Sequence, residues 1–356
     1  MKQVSFKKAI QLWQGIQPVS DRDRDRLSRR FTIDFNYNSN HIEANALTYA
    51  QTEILLLFGK IVGEATVRDV QEMTASNVGL KMMSEEANLP NMPLTQNFIR
   101  TLHKTLLRED YTVYRDLPGG MQTSYTIHAG QYKTRPNSVI TRYGDRFDYA
   151  SPEETPALMT DLVDWYNQAE KEGKLSPIDL AILFHYRYIR IHPFEDGNGR
   201  IARLMVNYIL SRHGYPMIVV RSRLKQAYLE ALHQADLIVG STPAEGAHAS
   251  LKQIRPFHKH MNDLIAKEIE NDVLFVTERD ENIWWYDGER IAFRTPTYAK
   301  ILRELRTEPV ITFAYLQEEI GINRSAIQKM LQSLQDKGYI QKDENGKWRV
   351  FITPSR

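Results

Sequence analysis

The sequence predicts a mainly α protein: a helical core interrupted by one small β-hairpin, followed by a C-terminal winged helix-turn-helix domain. Three observations carry this reading. Apolar residues recur at helical spacing over most of Ser39 to Ile265. Short β-branched runs between turn residues are confined to Gln122 to Arg146. The composition changes around Asn271 to Thr297, and Tyr298 to Pro354 then shows helix, glycine turn, helix and two short strands.

Bulk properties are consistent with this. A chain of 356 residues has room for two or three domains. With 42% hydrophobic and 25% charged residues it should bury a sizeable core, and global disorder is excluded. A formal net charge of +2 gives no general attraction to nucleic acid or anionic membrane, so such a role needs a local patch. The absence of cysteine excludes disulfides and thiolate metal sites. Met1 to Gln14 has no apolar signal-peptide stretch, and the apolar run Ile54 to Phe58 is far short of a membrane span. The expectation is a cytoplasmic protein with no membrane partner.

Along the chain, Asp21 to Arg30 alternates acid and base, as at the solvated start of a helix. Thr48 caps a helix that continues into an apolar run. Gln96 to Leu107, Leu158 to Tyr166 and Asp179 to Ile191 have helical spacing. Tyr125-Thr-Ile, Gly130, Val139-Ile-Thr and Gly144-Asp145 suggest the hairpin. The expected divisions are an N-terminal helical region over 1–95, a core over 96–265, a linker over 266–296 and the winged helix over 297–356.

The chemistry concentrates in His192-Pro193-Phe194-Glu195-Asp196-Gly197-Asn198-Gly199-Arg200. One helix should end before His192-Pro193, and another should run from near Asn198 to about His213, with Gly214 as its stop. On the second helix Ile201, Leu204, Met205 and Tyr208 form a core stripe, while Arg200, Arg203 and Asn207 form a polar one. A glycine-flanked helix N-terminus presents free N–H groups and the positive end of the helix dipole, which suits phosphate. Two arginines one turn apart add fork-shaped donors. Asp196 makes sense beside phosphate if it holds a bridging magnesium ion. His192 could take a proton from an attacking hydroxyl.

His-Pro-Phe-x-Asp/Glu-Gly-Asn-Gly-Arg-x-x-Arg is the Fic family signature, and the chain matches it from His192 to Arg203. The resemblance covers roughly Ser39 to Ile265 and implies a Fic-fold helical core. It implies a protein adenylyltransferase that moves AMP from ATP to a Ser, Thr or Tyr hydroxyl of a target protein, or of itself, with Mg²⁺ or Mn²⁺. His192 would be the base and Asp196 the metal ligand. Phe194 would anchor the loop, and Gly197, Asn198 and Gly199 would form the anion hole. Arg200 and Arg203 would hold the distal phosphates, and Asn207 would contact the nucleoside. Gly199-Arg200, where phosphorylating members tend to carry Lys-Arg, favours AMP by the same analogy. Gly130-Gln131-Tyr132-Lys133 resembles the family's target-binding flap, which implies strand addition of the target along that edge. Ser39-Asn40-His41-Ile42-Glu43-Ala44-Asn45 resembles its inhibitory helix, with Ser39 read as an N-cap and Glu43 one turn on. Glu43 would pair with Arg203 and take the γ-phosphate position. Ala44 departs from the pattern, where glycine is usual. Family members often form dimers, so a second copy of the chain is an expected partner.

In the C-terminal domain, Phe313 to Ile320 and Asn323 to Lys337 read as helices around Gly321. The wing strands flank a Glu344-Asn345-Gly346 turn. Thr297 to Arg356 carries ten basic against seven acidic residues. Arg324, Ser325, Gln328 and Lys329 would face a DNA groove, with Lys342, Lys347 and Arg349 on the wing. DNA and protein partners both fit this domain. Two further functions remain open: a DNA-binding regulator with the core as an ATP sensor, and an enzyme moving UMP, phosphate or phosphocholine instead.

Overall fold

The computed structural model describes residues 5–89, 91–116, 122–140, 144, 146–307, 312–342 and 346–350. In chain order the elements are α1 (Phe6–Gly15), α2 (Asp21–Ile42), α3 (Tyr49–Phe58), α4 (Val67–Ala87), α5 (Gln96–Leu107), β1 (Tyr111–Asp116), β2 (Gln122–Ile127), β3 (Ser138–Ile140) and β4 (Arg146–Asp148). They continue with α6 (Thr155–Glu172), α7 (Pro177–Ile191), α8 (Asn198–Arg212), α9 (Lys225–Val239), α10 (Pro243–Ala247) and α11 (Arg255–Thr277). The C-terminal part adds β5 (Ile283–Tyr286), β6 (Glu289–Ala292), α12 (Pro296–Thr307), α13 (Phe313–Ile320), α14 (Arg324–Asp336), β7 (Ile340–Lys342) and β8 (Trp348–Val350). None of the described helices is long and apolar enough to cross a membrane.

The predicted helices form where local chemistry favours them. Thr48 and Gln51 make a reciprocal capping box at the start of α3. Ser176 caps α7, and Pro177 occupies its first position. α8 has no solvent face: its apolar stripe is buried, and so are Arg200, Arg203 and Asn207. Such a helix belongs at the centre, and α4, α5 and α7 pack around it in the larger of two hydrophobic cores.

Three expectations are corrected. The single hairpin over Gln122–Arg146 is two separate antiparallel ribbons, β1–β2 and β3–β4. β2 pairs backward with the Tyr111–Asp116 run. Gly130 leaves the strand path with φ +77° and packs so closely on α5 that a Cβ would lie 3.0 Å from the Arg100 carbonyl. Positions 141–143 and 145 of the expected hairpin, and the wing's Glu344-Asn345 turn, lie outside the described residues.

Second, the expected linker over 266–296 is structured. It contains the last turns of α11 and the β5–β6 hairpin. Asp287-Gly288, with φ +44° and +73°, is the two-residue turn that closes this hairpin. Trp284 and Tyr286 are buried with Phe293 and the winged helix in the second core, which also takes in Ile33 of α2 and Tyr49 of α3. The winged helix is therefore fused to the N-terminal helices.

Third, Ser39 is no N-cap. It lies three residues before the end of α2, whose N-cap is Ser20, and Glu43 is the C-cap. Ala44 follows with φ +69°, the left-handed conformation that glycine adopts at no steric cost.

Candidate active site

The site is built where α7 ends and α8 begins. α7 terminates at His192, which has φ +53° and leaves the helix in the left-handed region. Gly197, at φ +77°, turns the chain into α8. Asn198 ties the intervening loop to itself: its Oδ1 accepts from the Phe194 N–H at 3.0 Å and its Nδ2 donates to the Phe194 carbonyl at 2.7 Å. Phe194 is fully buried and stacks on His103, with centroids 3.7 Å apart and planes at 5°.

His192 is half-buried, and Tyr149 stacks on its ring at 3.9 Å and 10°. Burial and then the nearby Lys133 ammonium push its pKa down to about 3. The imidazole is therefore neutral at physiological pH.

Asp196 Oδ2 accepts from Tyr111 Oη at 2.8 Å and from Arg200 at 3.3 Å. Burial raises its pKa, but the Arg200 charge and the Tyr111 hydrogen bond outweigh this and keep the carboxyl ionised. The Gly130 N–H donates to His103 Nδ1 at 2.9 Å, so the proton of this neutral imidazole sits on Nε2 and goes to the Asp196 carbonyl at 3.0 Å. Among the described residues no three metal-ligating side chains cluster. Asp196 offers one carboxylate, with the Glu43 carboxylate close enough to feel its charge. That fits Mg²⁺, which keeps its waters and takes further oxygens from phosphate, and does not fit a metal caged by protein.

The two arginines differ in how they are satisfied. Arg200 is buried and donates to Asp196, and its Nε has no partner among the described residues. A buried guanidinium in this state calls for an anion. Arg203 is fully engaged: Nε donates to Ser39 Oγ at 3.0 Å, and Nη2 to the Ser39 carbonyl at 2.9 Å and to Glu43 Oε1 at 2.7 Å. Burial raises the pKa of Glu43, but Arg203 and then Arg200 pull it below the usual range. The carboxylate lies against Gly199, where a Cβ would collide with Glu43 Oε1. Lys225 holds this end of α2 through the Ile42 carbonyl at 2.6 Å.

Not every expected residue converges here. Asn207 is fully buried, and its amide closes two hydrogen bonds, 2.9 and 2.7 Å, with the Ile218 backbone. Its amide is committed to the scaffold here. Lys133 is no exposed flap edge either: it is 3% accessible and donates to Asn137 and to the carbonyls of Ile191 and His192. It caps the end of α7, and burial lowers its pKa to about 7. Tyr132 is half-buried, with its hydroxyl on Gln96, while Gln131 stays exposed. His103, Tyr111 and Tyr149 were missed, and only His103, a polar residue among the apolar positions of α5, carried a sequence signal.

Comparison with known proteins agrees with this architecture. Residues 93–210 match the Fic/DOC family, and residues 299–341 match a winged helix-turn-helix DNA-binding model. The structure of a Fic-domain-containing signaling protein from Bacteroides thetaiotaomicron is 48% identical in sequence, with a TM-score of 0.71 over 77% of this chain and 99% of that one. A Fic family protein from Desulfovibrio desulfuricans, 18% identical with a TM-score of 0.56, shares the fold over 99% of this chain and 97% of its own. The protein adenylyltransferase fic-1 of Caenorhabditis elegans is 28% identical over 213 residues, 60% of this chain and 38% of that protein. The chain spans about two-fifths of the length of the curated relatives it matches. These matches define a mainly helical protein with a C-terminal winged helix. The chain belongs to the Fic/DOC family.

Proposed function

We propose that this chain is a protein adenylyltransferase whose resting state is inhibited by its own Glu43. One observation carries the reading: two buried arginines serve one glycine-flanked helix N-terminus, and the chain's own carboxylate neutralises Arg203 while Arg200 Nε has no partner among the described residues. A triphosphate would replace the Glu43 carboxylate on Arg203 and complete Arg200. The free N–H groups at the start of α8, from Gly197 to Gly199, would complete the anion site.

In the proposed reaction a target Ser, Thr or Tyr hydroxyl attacks the α-phosphorus of ATP. The new P–O bond forms as the bond to the β-phosphate oxygen breaks, pyrophosphate leaves, and the neutral His192 imidazole accepts the hydroxyl proton. Asp196 would hold Mg²⁺ or Mn²⁺, which supplies charge neutralisation to the phosphates. Tyr149 and Lys133 fix the ring and backbone of His192. The names of the fic-1 relatives support AMP as the group moved.

Target, self-modification and a second copy as partner belong to this reading, with the cytoplasm as compartment. The winged helix supports DNA contact as well: Arg324, Ser325, Gln328 and Lys329 are all exposed on one end of α14. Incubation with α-labelled and γ-labelled ATP tests the chemistry. Label carried to protein only from the α position, and lost in His192→Ala, is expected; transfer from the γ position would establish a kinase instead.

A further inference from the structure

Asp196 is held at both ends. Tyr111 and Arg200 hold its carboxylate at 2.8 and 3.3 Å, and His103 Nε2 donates to its backbone carbonyl at 3.0 Å. The second contact matters because of the peptide that carries it. The Asp196–Gly197 peptide is planar and trans, so its N–H points opposite to its carbonyl. With the carbonyl on His103, the Gly197 N–H is aimed to the side where the Asp196 carboxylate lies. Rotation of this peptide about its two flanking bonds would reverse both groups. Gly197, at φ +77° and ψ 0°, makes such a rotation cheap, because glycine occupies positive and negative φ about equally readily. The orientation of the peptide is thus not fixed by the loop's own backbone and needs a hold from outside.

His103 has the geometry of that hold. It is fully buried on α5, and its ring lies flat on Phe194, the anchor of the loop. Its edge lies against Gly197, where a Cβ would stand 3.4 Å from His103 Cδ2. Its other nitrogen, Nδ1, accepts the Gly130 N–H at 2.9 Å, which leaves the proton on Nε2. Gly130 is itself pinned to α5, since Arg100 Nε donates to its carbonyl at 2.8 Å. We propose that His103 is a positioning residue: its Nε2–H locks the Asp196–Gly197 peptide in the orientation that presents the Asp196 carboxylate and the Gly197 N–H to a metal–nucleotide complex. It acts through Asp196, and the consequence for metal binding rests on the reading of Asp196 as metal ligand.

The test separates the two ring nitrogens in the full chain, in a Glu43→Gly background. In His103→Gln the amide nitrogen takes the place of Nε2 and still donates to Asp196, while the Gly130 N–H loses its acceptor. In His103→Asn the amide oxygen takes the place of Nδ1 and still accepts from Gly130, while the Asp196 carbonyl loses its donor. Each variant gives up one buried hydrogen bond, so a merely structural histidine would make the two alike. Mn²⁺ is titrated in the presence of ADP, with free Mn²⁺ read by electron paramagnetic resonance. Affinity should fall about 10–100-fold in His103→Asn, the usual cost of losing a group that orients a metal ligand, and stay within about threefold of the parent in His103→Gln. Hydrogen–deuterium exchange at the Gly197 amide should quicken severalfold in His103→Asn alone. Equal losses in the two variants, or a parental result for His103→Asn in either measurement, overturns the proposal. If Asp196→Asn binds Mn²⁺ and ADP as the parent does, it is the reading of Asp196 as metal ligand that fails, and exchange at Gly197 alone decides the lock.

Discussion

Two buried arginines grip the same helix, and they do so differently. Arg221 is 2% accessible and is bound by three carboxylates, Asp34 at 2.8 Å, Glu268 at 2.6 Å and Asp287 at 3.1 Å. Those acids come from α2, α11 and the turn of the β5–β6 hairpin, so one guanidinium joins the N-terminal helices, the core and the winged-helix side. A Cβ on Gly288 would collide with it. Arg203 is equally buried but has a single carboxylate, Glu43, whose side chain is 39% accessible. Arg221 is enclosed and has no reason to let go. Arg203 holds a partner that water, or a phosphate, can reach and replace. The middle of α2 is thus anchored and its end is releasable.

That contrast can be broken by mutation, and the largest effect concerns chemistry. In a Glu43→Gly background, His192→Ala should lower label transfer by about 10²–10⁴-fold, the usual contribution of a general base, as read in a radiolabel assay. Next comes stability. Arg221→Met removes the shared partner of three acids, two of them buried, and should cost about 3–5 kcal/mol in urea denaturation, whereas Arg203→Met should cost less than half of that, because Glu43 can turn to water. Equal losses would remove the distinction between anchor and latch.

The smaller effects sharpen it. Since His192 is neutral above a pKa of about 3, its base form is fully present through the physiological range. Transfer by Glu43→Gly should therefore vary less than about twofold between about pH 5.5 and 8, and an acid limb centred near 6.5 would show an ordinary, unburied imidazole. Smallest of all, Ala44→Gly relieves a left-handed alanine. It should stabilise the fold by up to about 1 kcal/mol and lower basal transfer, since it favours the conformation that points Glu43 at Arg203.

The legible parts of the sequence share a property: their determinants are adjacent. His192 to Arg203 falls within one loop and one helix, so spacing alone brings its phosphate-binding groups together. The same holds for the α13–α14 pattern. Ser39 shows the limit of local reading. A serine before a polar stretch resembles a helix start, yet here it is a late position in α2 whose hydroxyl faces Arg203, 164 residues away. Asn207 lies on the polar stripe as expected, but what its amide meets, the Ile218 backbone, depends on where the chain returns after α8. Lys133 falls in a flap by the resemblance of Gly130-Gln131-Tyr132-Lys133, and only packing makes it a cap on α7. His103, Tyr111 and Tyr149 reach the site from α5, β1 and the segment after β4, and no spacing rule joins them to Asp196 or His192. The expected linker failed for a related reason: Asp287-Gly288 marks a turn, but whether that turn ends a domain or closes a packed hairpin is decided by Arg221, Asp34 and Glu268.

The account depends most on the latch at Arg203. Transfer of label from α-labelled ATP, measured side by side for wild type and Glu43→Gly with Mg²⁺, tests it directly. More than about tenfold faster transfer by Glu43→Gly is expected, because a competing charge is removed from the phosphate site; equal rates would mean that Glu43 on Arg203 is a structural contact and no inhibitor.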